Sequence, residues 1–337
     1  MKNPLITIII SNLNGMDLNL LPECLDSLTK PNYNNWELIV VDNNSTDGSV
    51  GYLKKRFAKL PNCILIQNPI NMYSQGLNLG AKSAKGDYLA YFNNDVAVHK
   101  NYFNTIIKEF LNDKSLAIAQ GKLLNLYKKD LIDSAGETMD IFGNPVTIGA
   151  GEKDKGQFDK IEDILSASGS ACVIKMNIFQ KLGGYDPDYG IGYEDMDLSL
   201  RARRLGLKVK RFPKAIVFHK RASTDLAKFI RVKVKWHFNK NRLTTMIKNY
   251  PPKTLMLTIP ITLSLYLGIA LYEWVVRRNW NIGLVRITSI YWVISKTGKI
   301  LKKRRDISYK GAKSLGKKEF RLFSSKSFLS LLGDFVR

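Results

Sequence analysis

"GDYLAYFNNDV", residues 86–96, changes abruptly from an apolar run to three consecutive polar side chains. The run Asp87–Phe92 is short and dense in aliphatic and aromatic residues, which predicts a buried β-strand. Asn93, Asn94 and Asp95 follow it directly. A turn alone accounts for polar residues after a strand, so this segment poses the question of whether Asp95 also binds a ligand.

Similar apolar runs occur earlier in the chain, at Leu5–Ser11, Trp36–Val41 and Cys63–Gln67. Segments with helical spacing of apolar residues lie between them, at Leu18–Leu28, Val50–Leu60 and 74–84. This alternation predicts an α/β fold, with a Rossmann-like, mostly parallel sheet and helices on both faces. Ligands of such sheets bind outside the carboxyl ends of the strands.

Four predicted strands end in polar residues, namely Ser11-Asn12, Asp42-Asn43-Asn44-Ser45, Gln67-Asn68 and Asn93-Asn94-Asp95. One polar strand end is explained by a cap or a turn. Because all four lie at the same edge of a parallel sheet, they indicate a binding site.

The later elements are less regular. We predict the following elements: a helix at about 101–112, a strand near Leu116–Leu124, a loop or small insertion at 133–162, a strand at Ser168–Ile174, a helix at 193–206, and two short strands around Pro213 within 208–220.

Charge is distributed unevenly along the chain. Residues 1–219 contain 26 Lys and Arg against 24 Asp and Glu, whereas residues 220–337 contain 26 against 5. The basic C-terminal part therefore predicts an anionic partner, either membrane lipid or nucleic acid.

Two apolar runs lie within this basic part. Thr254–Tyr272 contains 19 residues without a charge, just enough to cross a hydrocarbon core of about 30 Å. Ile282–Ser295 is shorter and contains Arg286. We predict attachment to an anionic membrane, either as a hairpin through the bilayer or as helices within one leaflet. A buried core helix is the alternative, but it leaves the flanking basic residues without a partner.

Nucleic acid is not expected, because the chain has no RNP, zinc or KH signature and nucleic acid does not explain the uncharged run. The three cysteines are widely spaced and the first apolar run is too short for a signal peptide, so we expect the domain to remain in the cytosol.

Asp42 stands directly at the tip of its predicted strand in "VVDNNSTDGS", residues 40–49. A strand-to-helix turn explains Asn44 to Gly48 but not a carboxylate at this point. Such a carboxylate can accept hydrogen bonds from a base or a ribose hydroxyl. Gly76, Gly80 and Ala84 are spaced by four, which fits either close helix packing or close approach to a ligand. No GxGxxG or GxxxxGKS motif occurs, which disfavours a dinucleotide site or a P-loop.

Four stretches, in this order, resemble the family-two glycosyltransferases with the GT-A fold, in particular the rhamnosyltransferase-like members: "TIIISNLNG" (7–15), "ELIVVDNNSTDGS" (37–49), "GDYLAYFNNDV" (86–96) and "GGYDPDYGIGYEDMDLSLRARRLGLKV" (183–209). His219 follows them, and the resemblance covers about residues 4–250. It implies that Asp42 reads the base of a nucleotide-sugar donor, with Asn12 beside it. The nucleotide-binding residues implied are Ser11, Asn12, Asp42, Asn44, Asn71, Gly76 and Asn94.

The resemblance also identifies Asn93-Asn94-Asp95 with the family's DxD motif, whose last Asp binds a divalent metal. Mg²⁺ and Mn²⁺ prefer hard oxygen ligands, usually one or two carboxylates together with phosphates. Asn93 stands where the family has its first Asp, so the implied metal ligands are Asp95, Asn93 and His219. The alternative for His219 is a packed histidine at a strand end.

"YEDMD", residues 193–197, begins a predicted helix. Acidic residues in a first turn suit the helix dipole, but an inverting transferase also needs a base to deprotonate its acceptor. The family places that base in the Glu-Asp pair, which implies Asp195, with Glu194 second. Two of the three arginines that follow, Arg201, Arg203 and Arg204, are expected to be solvated.

The resulting hypothesis is an inverting, metal-assisted glycosyltransferase at the cytoplasmic face of the cell membrane, acting on a lipid-linked or cell-envelope glycan acceptor. We predict a GT-A domain at 1–225, membrane-associated helices at 226–295 and a basic tail at 296–337. A processive polysaccharide synthase of the same fold is the first alternative, although the chain has no QxxRW motif. A basic nucleic-acid-binding protein is the second.

Overall fold

The computed structural model describes residues 3–220 and 227–324. Within them the strands are β1 Ile6–Asn12, β2 Trp36–Asp42, β3 Cys63–Gln67, β4 Tyr88–Asn93, β5 Val96–Val98, β6 Leu116–Asn125, β7 Ile132–Ser134, β8 Glu137–Met139, β9 Pro145–Thr147, β10 Glu162–Asp163, β11 Ala171–Lys175 and β12 Lys208–His219. The helices are α1 Leu20–Leu28, α2 Ser49–Phe57, α3 Tyr73–Ser83, α4 Tyr102–Asn112, α5 Met176–Leu182, α6 Glu194–Arg204, α7 Ala227–Asn249, α8 Pro252–Val275, α9 Trp280–Tyr309 and α10 Lys317–Phe320.

A ten-stranded mixed sheet has the order β10-β12-β6-β11-β4-β1-β2-β3, with β5 beside β12 and β7 beside β6. Strands β1 to β4 are parallel, whereas β11 runs antiparallel between β4 and β6. The register sets Asn12 opposite Asp42, and Ser11 opposite Asn93. The predicted α/β fold is confirmed, and the polar strand ends do meet at one edge.

Helices cover both faces of this sheet. Ile8 and Ile10 of β1 belong to a buried cluster with residues of α1 and α4. Ile9, between them, belongs to a second cluster with residues of α3, α5 and α6. Successive side chains of a strand point to opposite faces, so a central strand buried on both sides contains an unbroken apolar run.

The prediction of two short strands around Pro213 is wrong. Residues Lys208–His219 form one strand whose pairing with β6 shifts register between Phe212 and Ile216. Proline cannot donate a ladder hydrogen bond and is tolerated at such an irregularity. The insertion predicted at 133–162 contains short strands, of which β8 and β9 form a separate two-stranded sheet.

Three long helices follow the sheet domain. Helix α7 packs on α9 and on α6, and α8 packs on α9. Helix α9 continues through residues 295 and 296, where the sequence suggested a boundary. The boundary predicted at 225 and the end of the tail, 325–337, lie outside the described residues, and the division into domains stays a prediction.

Candidate active site

Asp42 is held at the end of β2 by its neighbours. Its Oδ2 accepts hydrogen bonds from Asn12 Nδ2 at 2.7 Å and from Ser45 Oγ at 2.6 Å, and its Oδ1 accepts one from the Ser45 amide at 2.9 Å. A carboxylate oxygen has two lone pairs, so Oδ1 keeps capacity for a further donor. Asn44 follows in the left-handed region, with φ of 67°, and is exposed. Asp42 is 1% exposed, so the arrangement fixes the carboxylate and leaves only the second lone pair of Oδ1 for a ligand.

Asn43, which the sequence analysis did not single out, connects three strand ends. Its Nδ2 donates to Ser11 Oγ at 3.0 Å, and its Oδ1 accepts from Asn68 Nδ2 at 2.9 Å. A Cβ at Gly76 would lie 2.5 Å from Asn43 Oδ1. Gly76 therefore permits close packing of α3 on this network, which is one of the two alternatives left open by the sequence. Asn71 is exposed in the segment before α3.

Asn94 ties the end of β4 to the end of β1. Its Nδ2 donates to Asn12 Oδ1 at 2.8 Å and to the carbonyl of Leu13 at 3.3 Å. Asn12 is thus shared between Asp42 and Asn94 and is fully buried. The predicted nucleotide-binding residues Ser11, Asn12, Asp42 and Asn94 therefore belong to one hydrogen-bonded edge.

Asp95 and His219, two of the metal ligands that the resemblance implied, lie next to each other. Asp95 is 4% exposed, and His219 Nε2 lies 3.2 Å from its Oδ1. His219 Nδ1 lies 2.8 Å from Oδ2 of Asp133, a partner that sequence reasoning missed. Burial lowers the pKa of His219, but the hydrogen bond to Asp133 and the nearby carboxylate of Asp95 outweigh it and raise the pKa to about 9. The imidazole would have to lose a proton before it could bind a metal.

Asn93 faces the other side of the site. Its Oδ1 accepts a hydrogen bond of 2.7 Å from the Tyr73 hydroxyl, and its Nδ2 lies 3.4 Å from Ser170 Oγ. One lone pair of the Asn93 oxygen therefore accepts the bond from Tyr73, and the second could bind a metal. Tyr73 has no motif around it that marks it in the sequence.

The donor set near Asp95 fits a divalent metal only in part. Across residues 3–220 and 227–324, no group of three or more His, Cys, Asp or Glu is placed to hold an ion. Oδ1 of Asp95 is nevertheless buried and makes no hydrogen bond of ordinary geometry in this part of the chain. One such carboxylate, completed by phosphate and water oxygens, is a normal Mg²⁺ environment.

Asp195 and Glu194 begin α6 beside the loop that precedes β11. Asp195 Oδ2 accepts from the Gly169 amide at 2.8 Å, and Oδ1 accepts from the Met196 amide at 2.7 Å. Glu194 is 5% exposed, and its Oε2 has no hydrogen-bond partner among the described residues. Burial raises the pKa of both carboxyls, and the charge of Asp195 raises the pKa of Glu194 further. A buried carboxylate of raised pKa is suited to accepting a proton.

Tyr73 connects the two centres. Its hydroxyl lies 3.3 Å from the Gly169 carbonyl in addition to its bond to Asn93. Burial raises the pKa of Tyr73 well above its ordinary value, and the negative charges of Glu194 and Asp195 add to this effect. The Tyr73 side chain therefore contacts both the end of β4 and the segment that binds Asp195.

The expectation that two of the three arginines of α6 are solvated is wrong. Arg201, Arg203 and Arg204 are 3%, 5% and 4% exposed. Each donates to backbone carbonyls, for example Arg201 to Leu182 at 2.8 Å and Arg204 to Lys248 at 3.0 Å. Asp197, fully buried, pairs with Arg201 at 2.8 Å. Helix α6 is buried between the sheet and α7, so its arginine side chains serve as internal hydrogen-bond donors.

The fold defines the class of protein. The solved structure of GalNAc-T7 with UDP, GalNAc and Mn²⁺ aligns with 99% of this chain and 58% of its own, with a TM-score of 0.66 and 15% identity. The mannosyltransferase PcManGT from Pyrobaculum calidifontis, solved with GDP-Man and Mn²⁺, aligns with 100% of this chain and 86% of its own, with a TM-score of 0.56 and 13% identity. The chain therefore has the GT-A glycosyltransferase fold.

The sequence defines the family. The model of glycosyl transferase family 2 matches residues 7–183, more than half of the chain. The chain therefore belongs to this family, as its motifs predicted. The match ends before Glu194 and Asp195.

Curated relatives match over shorter parts. Probable glycosyltransferase YdaM of Bacillus subtilis is 28% identical over 193 residues, 56% of this chain and 44% of that protein. A poly(ribitol-phosphate) beta-glucosyltransferase of Bacillus spizizenii is 37% identical over 95 residues, 27% of this chain and 14% of that protein. The chain spans less than half the length of each of these two relatives.

Proposed function

We propose that this chain transfers a sugar from a nucleotide-diphosphate donor to a lipid-linked or cell-envelope glycan acceptor, with inversion, and that Asp195 is the general base. The observation that carries the proposal is the convergence at one sheet edge of Asp42, Asp95 and, through Tyr73 and Gly169, Asp195.

The donor's base and ribose would lie against Asp42 and Asn12, where Asp42 Oδ1 has capacity for another hydrogen bond. A divalent ion, Mg²⁺ or Mn²⁺, would be held by Asp95, with Asn93 and His219 as further candidates, and would offset the charge on the leaving diphosphate. Tyr73 keeps the end of β4 in place relative to the segment that orients Asp195.

Asp195 would take the proton from the acceptor hydroxyl as that oxygen attacks the anomeric carbon from the side opposite the diphosphate. Its two oxygens each accept one amide hydrogen bond, which fixes the carboxylate without supplying a counter-charge. Glu194 is the second candidate for this role. Attack from the opposite face inverts the anomeric configuration.

Membrane attachment is the second part of the proposal. Helix α8 is long and apolar enough to cross a membrane, and only 28% of its most apolar window is buried. Its exposed residues include Met256, Leu257, Leu267, Leu271 and Val275. An apolar face next to basic segments supports binding to the cytoplasmic leaflet of an anionic membrane.

The test measures nucleoside diphosphate release from a panel of UDP-, dTDP- and GDP-sugars with Mg²⁺ or Mn²⁺. Asp195→Asn and Asp95→Ala are expected to lose most of the activity while remaining folded. Asp26→Asn is a matched control, because Asp26 is half exposed and pairs with Arg56 on the surface. Full activity in folded Asp195→Asn would exclude Asp195 as the base, and activity that survives chelation would exclude the metal.

A further inference from the structure

The segment Asp186–Tyr193 leads directly into the Glu194-Asp195 pair and lies against α7. It contains Gly190 and Gly192 with φ of 71° and 80°, and it ends in Tyr193 with φ of 68°. A tyrosine in the left-handed region persists only where its surroundings hold it there. The position of the catalytic pair therefore depends on whatever fixes this segment, which we call the 186–193 loop.

Asn241 of α7 contacts the backbone of the loop at three carbonyls. Its Nδ2 donates to the carbonyls of Tyr189, Ile191 and Gly192 at 2.9, 3.0 and 2.7 Å. The side chain is completely buried. The carbonyl of Tyr189 is buried, and those of Ile191 and Gly192 are partly buried. An amide group has two N–H bonds, so Asn241 shares them among three of the last five residues before Glu194.

Lys240 and His237 reinforce this contact from the same helix. Lys240 Nζ donates to the Asp188 carbonyl at 2.5 Å and to the Tyr189 carbonyl at 3.3 Å. His237 Nδ1 lies 2.9 Å from the Tyr189 carbonyl. A Cβ at Gly190 would lie 2.6 Å from His237 Cε1, so the helix and the loop backbone are in close contact.

The loop also reaches the donor side of the site. The Gly190 carbonyl accepts a hydrogen bond of 3.1 Å from the amide of Ser74, which is next to Tyr73 in α3. One loop thus contacts both the helix that carries Tyr73 and the helix that carries Asp195.

We propose that Asn241 is a positioning residue for catalysis, with Lys240 in a supporting role: by holding the carbonyls of the 186–193 loop, it sets the position of Asp195 relative to the acceptor and the donor. The inference rests on the proposed role of Asp195. It assigns a catalytic purpose to α7, which lies beyond the residues matched by the family model.

The test compares Asn241→Leu with Asn239→Leu in the full chain. Leu has a similar volume but cannot donate. Asn239 is on the same helix, where its Oδ1 lies 3.4 Å from Arg286 Nη1, away from the loop. For the sugar nucleotide that the panel identifies, Asn241→Leu is expected to lower kcat by about tenfold or more, because small displacements of catalytic groups are costly. We expect KM for the donor to stay within about twofold, since ground-state binding is not removed.

A purely structural role would lower the melting temperature but leave kcat of the folded protein unchanged. Equal kcat in folded Asn241→Leu and Asn239→Leu would therefore overturn the inference. If Asn241→Leu does not fold, Lys240→Met is measured in its place. A reduced kcat is expected, and an unchanged kcat would overturn the inference. Asp195→Asn is measured in parallel. If it stays fully active, the proposed function itself fails; if it is inactive while Asn241→Leu matches its control, only the inference fails.

Discussion

The hydroxyl of Tyr73 donates a 2.7 Å hydrogen bond to Oδ1 of Asn93. Asn93 is the residue that stands where a second metal-binding carboxylate was expected. A carboxylate at this position would accept the same hydrogen bond but would add a negative charge two residues from Asp95. The asparagine joins β4 to the segment that orients the proposed base without that charge.

Tyr73→Phe is expected to reduce kcat for nucleoside diphosphate release several-fold and to destabilise the fold by about 0.5–1.5 kcal/mol, because the partly buried Asn93 oxygen loses its donor. Kinetics and thermal unfolding measure the two effects. Tyr91→Phe is the matched control, since the Tyr91 hydroxyl is buried without a hydrogen-bond partner in the described residues. Equal behaviour of the two variants would contradict a role for the Tyr73 hydroxyl.

Gly15→Ala is expected to raise KM for the donor. A Cβ at Gly15 would lie 2.2 Å from Asn12 Oδ1 and 2.7 Å from Asn94 Nδ2, and so would push apart the pair that supports Asp42. Donor titration measures the change. Gly51→Ala in α2 is the control, because a Cβ there meets no atom within 4 Å and alanine favours a helix. An unchanged KM in Gly15→Ala would show that the Asn12–Asn94 bond does not shape the donor site.

Part of this candidate site could be predicted from local sequence, and the rest could not be predicted in that way. Strand ends can be predicted because an apolar run stops abruptly at a polar residue, and this pattern selected Asp42 and Asp95 as candidate site residues. Asp133 and Tyr73 could not be found in this way, because their partners His219 and Asn93 are distant in sequence. The arginines of α6 were misjudged for the same reason: Arg203, for instance, donates to the carbonyls of Leu165 and Val209.

Acid is expected to loosen the contact between the C-terminal helices and the 186–193 loop. Burial raises the pKa of Asp186, but the charges of Lys248 and Lys303 outweigh it and hold that pKa well below its usual range. A carboxyl whose pKa is lowered by folding stabilises the fold at pH values above its pKa in the unfolded chain, about 3.9. This stabilisation is lost as the pH falls towards the pKa in the folded state.

The free energy of unfolding should therefore decrease as the pH is lowered below about 4. Asp186→Asn should be less stable at pH 7, because Lys248 is 1% exposed and loses one of its two carboxylate partners. The stability of this variant should also depend less on pH than that of the unaltered protein. Denaturant titrations between pH 7 and pH 3 measure both effects. Parallel pH dependence in the two proteins would rule out Asp186 as a source of acid sensitivity.

Replacing apolar residues on the exposed face of α8 is expected to weaken membrane binding without changing catalysis in solution. Leu267 and Leu271 are 53% and 58% exposed and lie one turn apart, so the double change to glutamate should remove apolar contact and repel anionic lipid together. Co-sedimentation with vesicles of phosphatidylglycerol and phosphatidylcholine measures binding. Leu111→Glu is the control, because Leu111 is 55% exposed on α4 of the sheet domain. If Leu267→Glu/Leu271→Glu binds vesicles as tightly as Leu111→Glu at the same salt concentration, the apolar face of α8 does not mediate binding to membranes.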